Sequence, residues 1–141
     1  MVSKALLTSN TDQWATPEYL FNGYNQVYNF TLDACASDWN YKVNNYYTEE
    51  DNGLEQPWTG VVWCNPPYGR QIKDWIRKGY ESAQQGATVV MLIPARTDTA
   101  YWHEYVMKGR ITFLRGHIKF IQPDGTEGNA APFPSAIVVF Q

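Results

Sequence analysis

The hydrophobic and polar positions of this chain alternate between short apolar runs and longer segments with helical spacing. Gly60–Cys64 ends in an apolar run that is too short for a helix, so it predicts a strand. Thr88–Pro94 is a continuous apolar run between Gly86 and Pro94, which is typical of a strand covered on both faces in a parallel sheet. Arg110–Arg115 alternates between polar and apolar residues and predicts another strand.

The remaining elements follow from the same patterns and from turn residues. Thr16 as N-cap and Pro17 at the first helical position predict a helix over about Pro17–Val27, with Val27 among its core-facing residues. Two more helices are predicted, one from Ile72 to near Gly86 and one over Thr99–Lys108. Further predicted strands are Phe30–Ser37, a short one within Asn44–Thr48, Ile118–Ile121 and Ala136–Phe140, with Gln122–Ser135 as a long hairpin-like loop.

This order of elements predicts a three-layer α/β fold. Strands alternate with helices until a strand pair closes the chain, so the sheet should be mostly parallel with an antiparallel C-terminal strand pair. The 141 residues are enough for one domain, and we place it at 14–141 after a loose lead-in over 1–13. Trp63, Trp75 and Trp102 are expected in the core.

Composition narrows the class of protein. Apolar residues make up 44% of the chain, yet no run approaches the ~20 residues needed to span a bilayer. No signal peptide is recognisable, so the protein is expected in the cytoplasm with Cys35 and Cys64 reduced. The net charge of −3 argues against indiscriminate coating of nucleic acid. His103 and His117 are too isolated for a metal site, so none is predicted.

The loop after the Gly60–Cys64 strand carries the most specific chemistry. Asn65-Pro66-Pro67-Tyr68 is rigid because the two prolines exclude helix, and it offers the Asn65 amide oxygen and the Pro66 carbonyl as acceptors beside an aromatic ring. Two acceptors could hold a planar amine while the Tyr68 ring stacks on it. They would also stabilise positive charge that develops on the nitrogen during attack.

A second candidate site lies at the end of an earlier strand. Asp33 is followed by Ala34, Cys35 and Ala36, small residues that let a ligand approach the backbone, and Asp33 can accept from an amine. In open α/β sheets ligands bind beyond the carboxyl ends of the strands. Both this segment and Asn65–Tyr68 are predicted at such ends, so we expect them to border one site.

Several ordered motifs together resemble the phage-type DNA N-6-adenine methyltransferase family. They cover about residues 12–140: Trp14-x-Thr16-Pro17-x-x-Leu20-Phe21, Leu32-Asp33-Ala34-Cys35-Ala36, Asn65-Pro66-Pro67-Tyr68-Gly69, Thr97-Asp98-Thr99 with Trp102, Gly116-x-Ile118-x-Phe120 and the closing Ala136–Phe140 strand. The resemblance implies a class I methyltransferase (Rossmann-like) fold that uses S-adenosylmethionine without a metal. It also implies methylation of the adenine N6 amine in DNA, in a host cytoplasm if the protein is phage-encoded.

The resemblance also implies roles for individual residues. Asp33, Ala34, Cys35 and Ala36 would form the cofactor loop together with Asn65, while Trp14, Thr16 and Pro17 would close over the methionine end. Asn65, Pro66, Pro67 and Tyr68 would hold the flipped adenine as the catalytic group. Glu50 or Asp51 would contact the adenosine or the target amine. The usual glycine-rich loop is absent, and no helix is predicted after the first strand.

Four basic residues near predicted strand or loop ends are candidates for DNA phosphate contacts. They are Arg70, Lys73, Arg96 and Arg115. Turning a base out of a duplex costs a few kcal/mol, and without a separate recognition domain this predicts relaxed sequence specificity, a single-strand preference or a dimer. Whether the protein is a monomer or a homodimer stays open. The tetrapeptide suits any planar amine or amide, so cytosine N4, RNA, a protein glutamine, and a cofactor- or DNA-binding module without turnover stay open.

Overall fold

The computed structural model describes residues 15–141 and contains one five-stranded and one two-stranded sheet. Within these residues no helix is long and apolar enough to cross a membrane. The α-helices and strands in chain order are α1 (Glu18–Tyr28), β1 (Leu32–Asp33), β2 (Val61–Cys64), α2 (Ile72–Gln84), β3 (Thr88–Pro94), α3 (Ala100–Glu104), β4 (Arg110–Phe113), β5 (Lys119–Ile121), β6 (Glu127–Ala130) and β7 (Ser135–Phe140).

The main sheet has the strand order β1-β2-β3-β7-β4 and is mixed. β1, β2 and β3 are parallel, whereas β7 lies between β3 and β4 and is antiparallel to both. The sequence analysis predicted that the last strand forms an antiparallel pair with the strand before it. This is wrong, because β7 is inserted between β3 and β4 and does not pair with β5. Every residue of β7 is buried, so it needs cover on both faces, whereas the largely exposed β4 suits the edge.

The segment predicted as a long loop over Gln122–Ser135 contains a strand. β6 pairs with β5 in an antiparallel hairpin, and Gly125 in the turn has φ +86°. The hairpin is attached to the start of the described chain, because the Ile121 amide donates to the Ala15 carbonyl (3.0 Å). β6 was missed because Glu127–Ala130 has no apolar alternation.

Apolar side chains pack on both faces of the sheet, which gives three layers. On one face β2, β3 and β7 pack against α2 and α3, and Trp75 and Trp102 are buried there. On the other face Trp63 packs against Phe21 of α1 and lies in one cluster with Phe120 of the hairpin. The prediction that these three tryptophans belong to the core is confirmed.

Two predictions about helix α1 were wrong. Thr16 is not its N-cap: the helix begins at Glu18 after Pro17, which is extended (φ −59°, ψ 141°), and no side chain caps it. The residue before a proline is also biased to extended geometry, which places Thr16 outside the helix and frees its hydroxyl for another contact. Val27 faces solvent with 73% of its surface exposed, instead of packing on the core.

The other boundary differences are smaller. The predicted helix over Thr99–Lys108 is α3 followed by a 3-10 turn over Val106–Lys108, with an irregular backbone at Tyr105 (φ −124°, ψ −55°). The predicted strand over Phe30–Ser37 is regular only at β1, since its later residues pair instead with the segment around Tyr47. Within the predicted short strand Asn44–Thr48, one bridge joins Tyr46 to Asp33.

Candidate active site

A pocket of about 360 Å³ lies at the carboxyl ends of β1 and β2. Its position follows from the parallel pairing of these strands, because the segments that leave them diverge at the same edge of the sheet. Its wall consists of Ala15, Thr16, Asp33, Ala34, Cys35, Ala36, Asn40, Lys42, Tyr47, Thr48, Glu49, Asn52, Gly53, Trp63, Asn65, Pro67, Gln71 and Trp75.

The pocket brings together most of the residues predicted to bind the cofactor. Thr16, the segment Asp33–Ala36 and Asn65 all line it. Pro17 is not on its wall; the Pro17 carbonyl instead accepts from the amides of Leu20 and Phe21 at the start of α1. Trp14 lies outside the described residues.

The Thr16 hydroxyl positions the side chain of Asn65, the first residue of the tetrapeptide. Thr16 is buried, with only 2% of its surface exposed. The Asn65 amide nitrogen donates a hydrogen bond of 3.1 Å to the Thr16 hydroxyl oxygen. This contact joins the segment before α1 to the end of β2 and fixes the orientation of the Asn65 amide. The two residues are 49 positions apart, so nothing in the sequence indicates that they are in contact.

The Asp33 carboxyl is buried in the pocket wall and accepts two backbone hydrogen bonds. Its oxygens accept from the amides of Lys42 (3.0 Å) and Cys35 (3.3 Å). Burial raises the pKa of Asp33 to about 7, against the opposing effects of these two hydrogen bonds and of the Lys42 charge. A carboxyl in this state can accept from a cationic amine in the pocket, and bringing in a positive charge would favour its ionised form.

The small residues after Asp33 form a wall of closely packed backbone. The Ala34 amide donates to the Trp63 carbonyl (2.9 Å) and the Ala36 amide to the Tyr47 carbonyl (2.9 Å). Cys35 and Cys64 are free cysteines, as predicted, and burial raises the pKa of each thiol. Both thiols are thus neutral at physiological pH and act as small packing groups.

The residues Pro66, Pro67 and Tyr68 leave β2 in different environments. Pro66 is buried, and Pro67 lines the pocket. The Tyr68 hydroxyl donates to the Leu92 carbonyl (3.2 Å), and burial raises its pKa. The Tyr68 ring contacts Phe133 and Phe120 nearly perpendicularly, with centroids 5.6 and 6.0 Å away. These contacts hold the ring in one orientation beside the Asn65–Pro67 loop.

Several wall residues were missed by the sequence analysis. Lys42, Tyr47, Glu49, Gln71 and Trp75 belong to it, and none of them is in a motif or segment to which the sequence analysis assigned chemistry. Glu49 is on the wall, whereas Glu50 and Asp51, the two acidic candidates, are not.

Asp51 has a local role in the turn that leads away from the pocket. Its carboxylate accepts from the Thr48 amide (2.8 Å) and from the Thr48 hydroxyl (3.1 Å). The two predicted candidates, Glu50 and Asp51, lie next to the wall residue Glu49, so the region was right. Which carboxylate reaches the pocket depends on the direction of the backbone, which the sequence does not show.

The four predicted phosphate-binding residues are all exposed. Arg70 and Lys73 lie close after β2, while Arg96 follows β3 and Arg115 follows β4. The Arg96 guanidinium lies 5.9 Å from the Phe133 ring centroid. Among residues 15–141 none of the four forms an ion pair, which leaves their charges available to an anion. The same part of the chain contains no group of three or more His, Cys, Asp or Glu side chains that could hold a metal.

Comparisons with known proteins cover almost the whole chain. The family model described as DNA N-6-adenine-methyltransferase (Dam) matches residues 3–141. The DNA N-6-adenine-methyltransferase of Haemophilus phage HP1 (strain HP1c1) is 33% identical over an alignment of 139 residues, and the match covers 94% of this chain and 80% of that protein. The DNA N-6-adenine-methyltransferase of Escherichia phage T1 is 29% identical over an alignment of 134 residues, and the match covers 74% of this chain and 55% of that protein. The chain belongs to the DNA N-6-adenine-methyltransferase (Dam) family.

Proposed function

We propose that this protein methylates the N6 amine of adenine in DNA, with S-adenosylmethionine as methyl donor and residues 14–141 as one domain of the class I methyltransferase fold. Membership of the family supports the reaction. One observation supports the place of the reaction in the structure: Asn65 lines the pocket and is also the first residue of the Asn65–Tyr68 tetrapeptide. A donor in the pocket and an amine held by the tetrapeptide would therefore be neighbours, as direct transfer requires.

The pocket suits a donor of this size and polarity. Its volume of about 360 Å³ lies within the range of small-molecule sites, and Asp33 supplies a buried carboxyl for an α-amine. The small residues Ala34 and Ala36 let an adenosine group approach the backbone. Trp75 adds an apolar wall on which a purine ring could pack. S-adenosylmethionine would supply an electrophilic methyl group on a sulfonium.

Asn65 and Pro66 would activate the acceptor without removing its proton first. The lone pair of the adenine amine is delocalised into the ring, so hydrogen bonds from both N–H groups to the Asn65 amide oxygen and the Pro66 carbonyl would favour a more tetrahedral nitrogen. These acceptors would also stabilise the positive charge that grows on the nitrogen. Asn65 is neutral and cannot serve as a carboxylate base, so the extra proton leaves after methyl transfer.

Tyr68 would provide the stacking surface for the flipped base. Stacking on an aromatic ring contributes about 1–3 kcal/mol, which is comparable with the cost of turning out one base. The hydroxyl contact with Leu92 and the ring contacts with Phe120 and Phe133 fix the ring before a base arrives. The exposed Arg70, Lys73, Arg96 and Arg115 would hold the flanking phosphates.

The test is methyl incorporation from labelled S-adenosylmethionine into unmethylated duplex DNA, single-stranded DNA, RNA and protein, followed by digestion of the nucleic acids to nucleosides. We expect labelled N6-methyladenine from the wild type and almost none from Asn65→Ala. Asn22→Ala is the matched control, because Asn22 is exposed on α1 away from the pocket. N4-methylcytosine, or label only in RNA or protein, would assign a different acceptor. No label in any acceptor despite donor binding would contradict the enzymatic role.

A further inference from the structure

Lys42 is a buried lysine on the wall of the pocket. Only 8% of its side chain is exposed, and its ammonium lies 2.6 Å from a carboxylate oxygen of Glu18, which is 69% exposed. Burying an ammonium is costly unless it is paired with an anion. Glu18 occupies one of the three N–H donors of the ammonium. The remaining donors can serve a second acceptor.

The backbone of Lys42 connects this ammonium to the buried carboxyl of Asp33. The Lys42 amide donates to an Asp33 carboxyl oxygen at 3.0 Å, and both residues line the same pocket. The wall thus contains a lysine whose ammonium is paired with Glu18 and whose backbone amide holds the Asp33 carboxyl. An amino-acid end group carries the complementary pair of charges, an α-carboxylate and an α-ammonium.

We propose that the Lys42 ammonium binds the α-carboxylate of the methionine part of the methyl donor, while Asp33 accepts from its α-amine. The inference rests on the proposed function and names the residue that recognises the acid group. Lys42 is then a specificity-determining residue that selects a donor with an intact amino-acid end. The alternative is that Lys42 only ties the segment after Asp33 to α1 through Glu18.

The test measures dissociation constants by calorimetry for S-adenosylmethionine and for its decarboxylated analogue, which keeps the sulfonium, the amine and the adenosine. Loss of a charge-assisted hydrogen bond to a buried ammonium should weaken wild-type binding about ten- to hundredfold. In Lys42→Met, which keeps the apolar stem, the two ligands should bind with nearly equal constants. Lys42→Arg keeps the charge and should retain at least part of the discrimination.

Lys78→Met is the matched control for removal of a partly buried lysine. The Lys78 ammonium donates to the Leu54 carbonyl (2.9 Å) and is not on the pocket wall, so this variant should discriminate as the wild type does. Circular dichroism and thermal unfolding establish that each variant is folded before binding is measured.

The outcomes separate this inference from the proposed function. If the wild type binds both ligands equally well, Lys42 does not read the carboxylate and the inference is overturned, even if Lys42→Met fails to fold. Equal weakening of both ligands in Lys42→Met would assign it the tying role and would overturn the inference too. If the wild type binds neither ligand, the proposed donor itself is wrong.

Discussion

A single added methyl group at Gly53 is expected to distort the donor pocket. A Cβ on Gly53 would lie 2.3 Å from the Ala34 carbonyl oxygen and 2.9 Å from the Trp75 ring, and both residues line the pocket. The oxygen would have to move by about 0.7 Å to reach 3.0 Å, below which real Cβ contacts are essentially never seen.

Neither side of this contact can yield easily. The Gly53 carbonyl accepts from the buried Trp58 indole nitrogen (2.8 Å), and the Ala34 amide donates to Trp63 of β2 (2.9 Å). Overpacking of such a site costs typically about 1–3 kcal/mol of unfolding free energy. For a domain of this length, that corresponds to a decrease in melting temperature of about 3–10 °C.

The assay compares Gly53→Ala with Gly23→Ala by thermal unfolding and by calorimetric titration with S-adenosylmethionine. A Cβ on Gly23 has no atom within 4 Å, and Gly23 lies within α1. Replacing a helical glycine by alanine should raise the unfolding free energy by about 0.5–1 kcal/mol and leave donor affinity unchanged. Gly53→Ala should lower both stability and donor affinity. We expect the affinity to fall at least about threefold, and a threefold fall corresponds to a loss of binding free energy of under about 1 kcal/mol.

The reasoning would be refuted if Gly53→Ala had wild-type stability and donor affinity. Lower stability with unchanged affinity would instead mean that the 3-10 turn formed by Gly53–Glu55 moves away from Ala34 without altering the pocket wall.

Three further predictions concern charge and hydrogen bonding at the site. The pKa of Asp33 is about 7 in the folded protein against an ordinary value of 3.8. As the pH rises from about 4 to 7, the unfolding free energy of the wild type should therefore fall relative to that of Asp33→Asn, by at most about 4 kcal/mol. Denaturant titrations at each pH measure this difference. Thr16→Val should lower kcat about tenfold in methylation assays, because Asn65 loses the acceptor that orients its amide, whereas Thr16→Ser should keep most activity. Arg96→Ala should reduce the slope of log affinity for DNA against log salt by about 1. Lys108→Ala should leave the slope unchanged, because Lys108 precedes β4 and lies at the end of the sheet opposite to the carboxyl end of β3.

Each of these predictions has a contradicting result. Parallel stability curves for the wild type and Asp33→Asn between pH 4 and 7 would mean that the carboxyl titrates near its ordinary pKa. Equal activity of Thr16→Val and Thr16→Ser would show that the hydroxyl does not orient Asn65. An unchanged salt slope in Arg96→Ala would exclude a phosphate contact there.

Local patterns in the amino-acid sequence were enough to locate most elements and to outline the site. β2, β3 and β7 are continuous apolar runs, and the helical spacing of apolar residues in α2 identifies its buried face. Both can be read from the sequence, because apolar side chains are transferred from water into the core and their spacing along the chain follows the local structure. The tetrapeptide and the segment after Asp33 could be placed at strand ends, since prolines and small residues limit the local backbone. The location of Asn65, Pro67 and the segment after Asp33 at one pocket follows from the general geometry of parallel strands.

Which strands are neighbours, and which side chains complete the pocket, could be read only from the folded structure. The apolar pattern of β7 shows that it is buried, but not that it lies between β3 and β4, because many pairings bury the same residues. The contact of Thr16 with Asn65 and the placement of Lys42 and Glu49 on the pocket wall depend on how distant segments pack. The raised pKa of Asp33 likewise has no counterpart in the sequence, because desolvation is a property of the surroundings that folding creates.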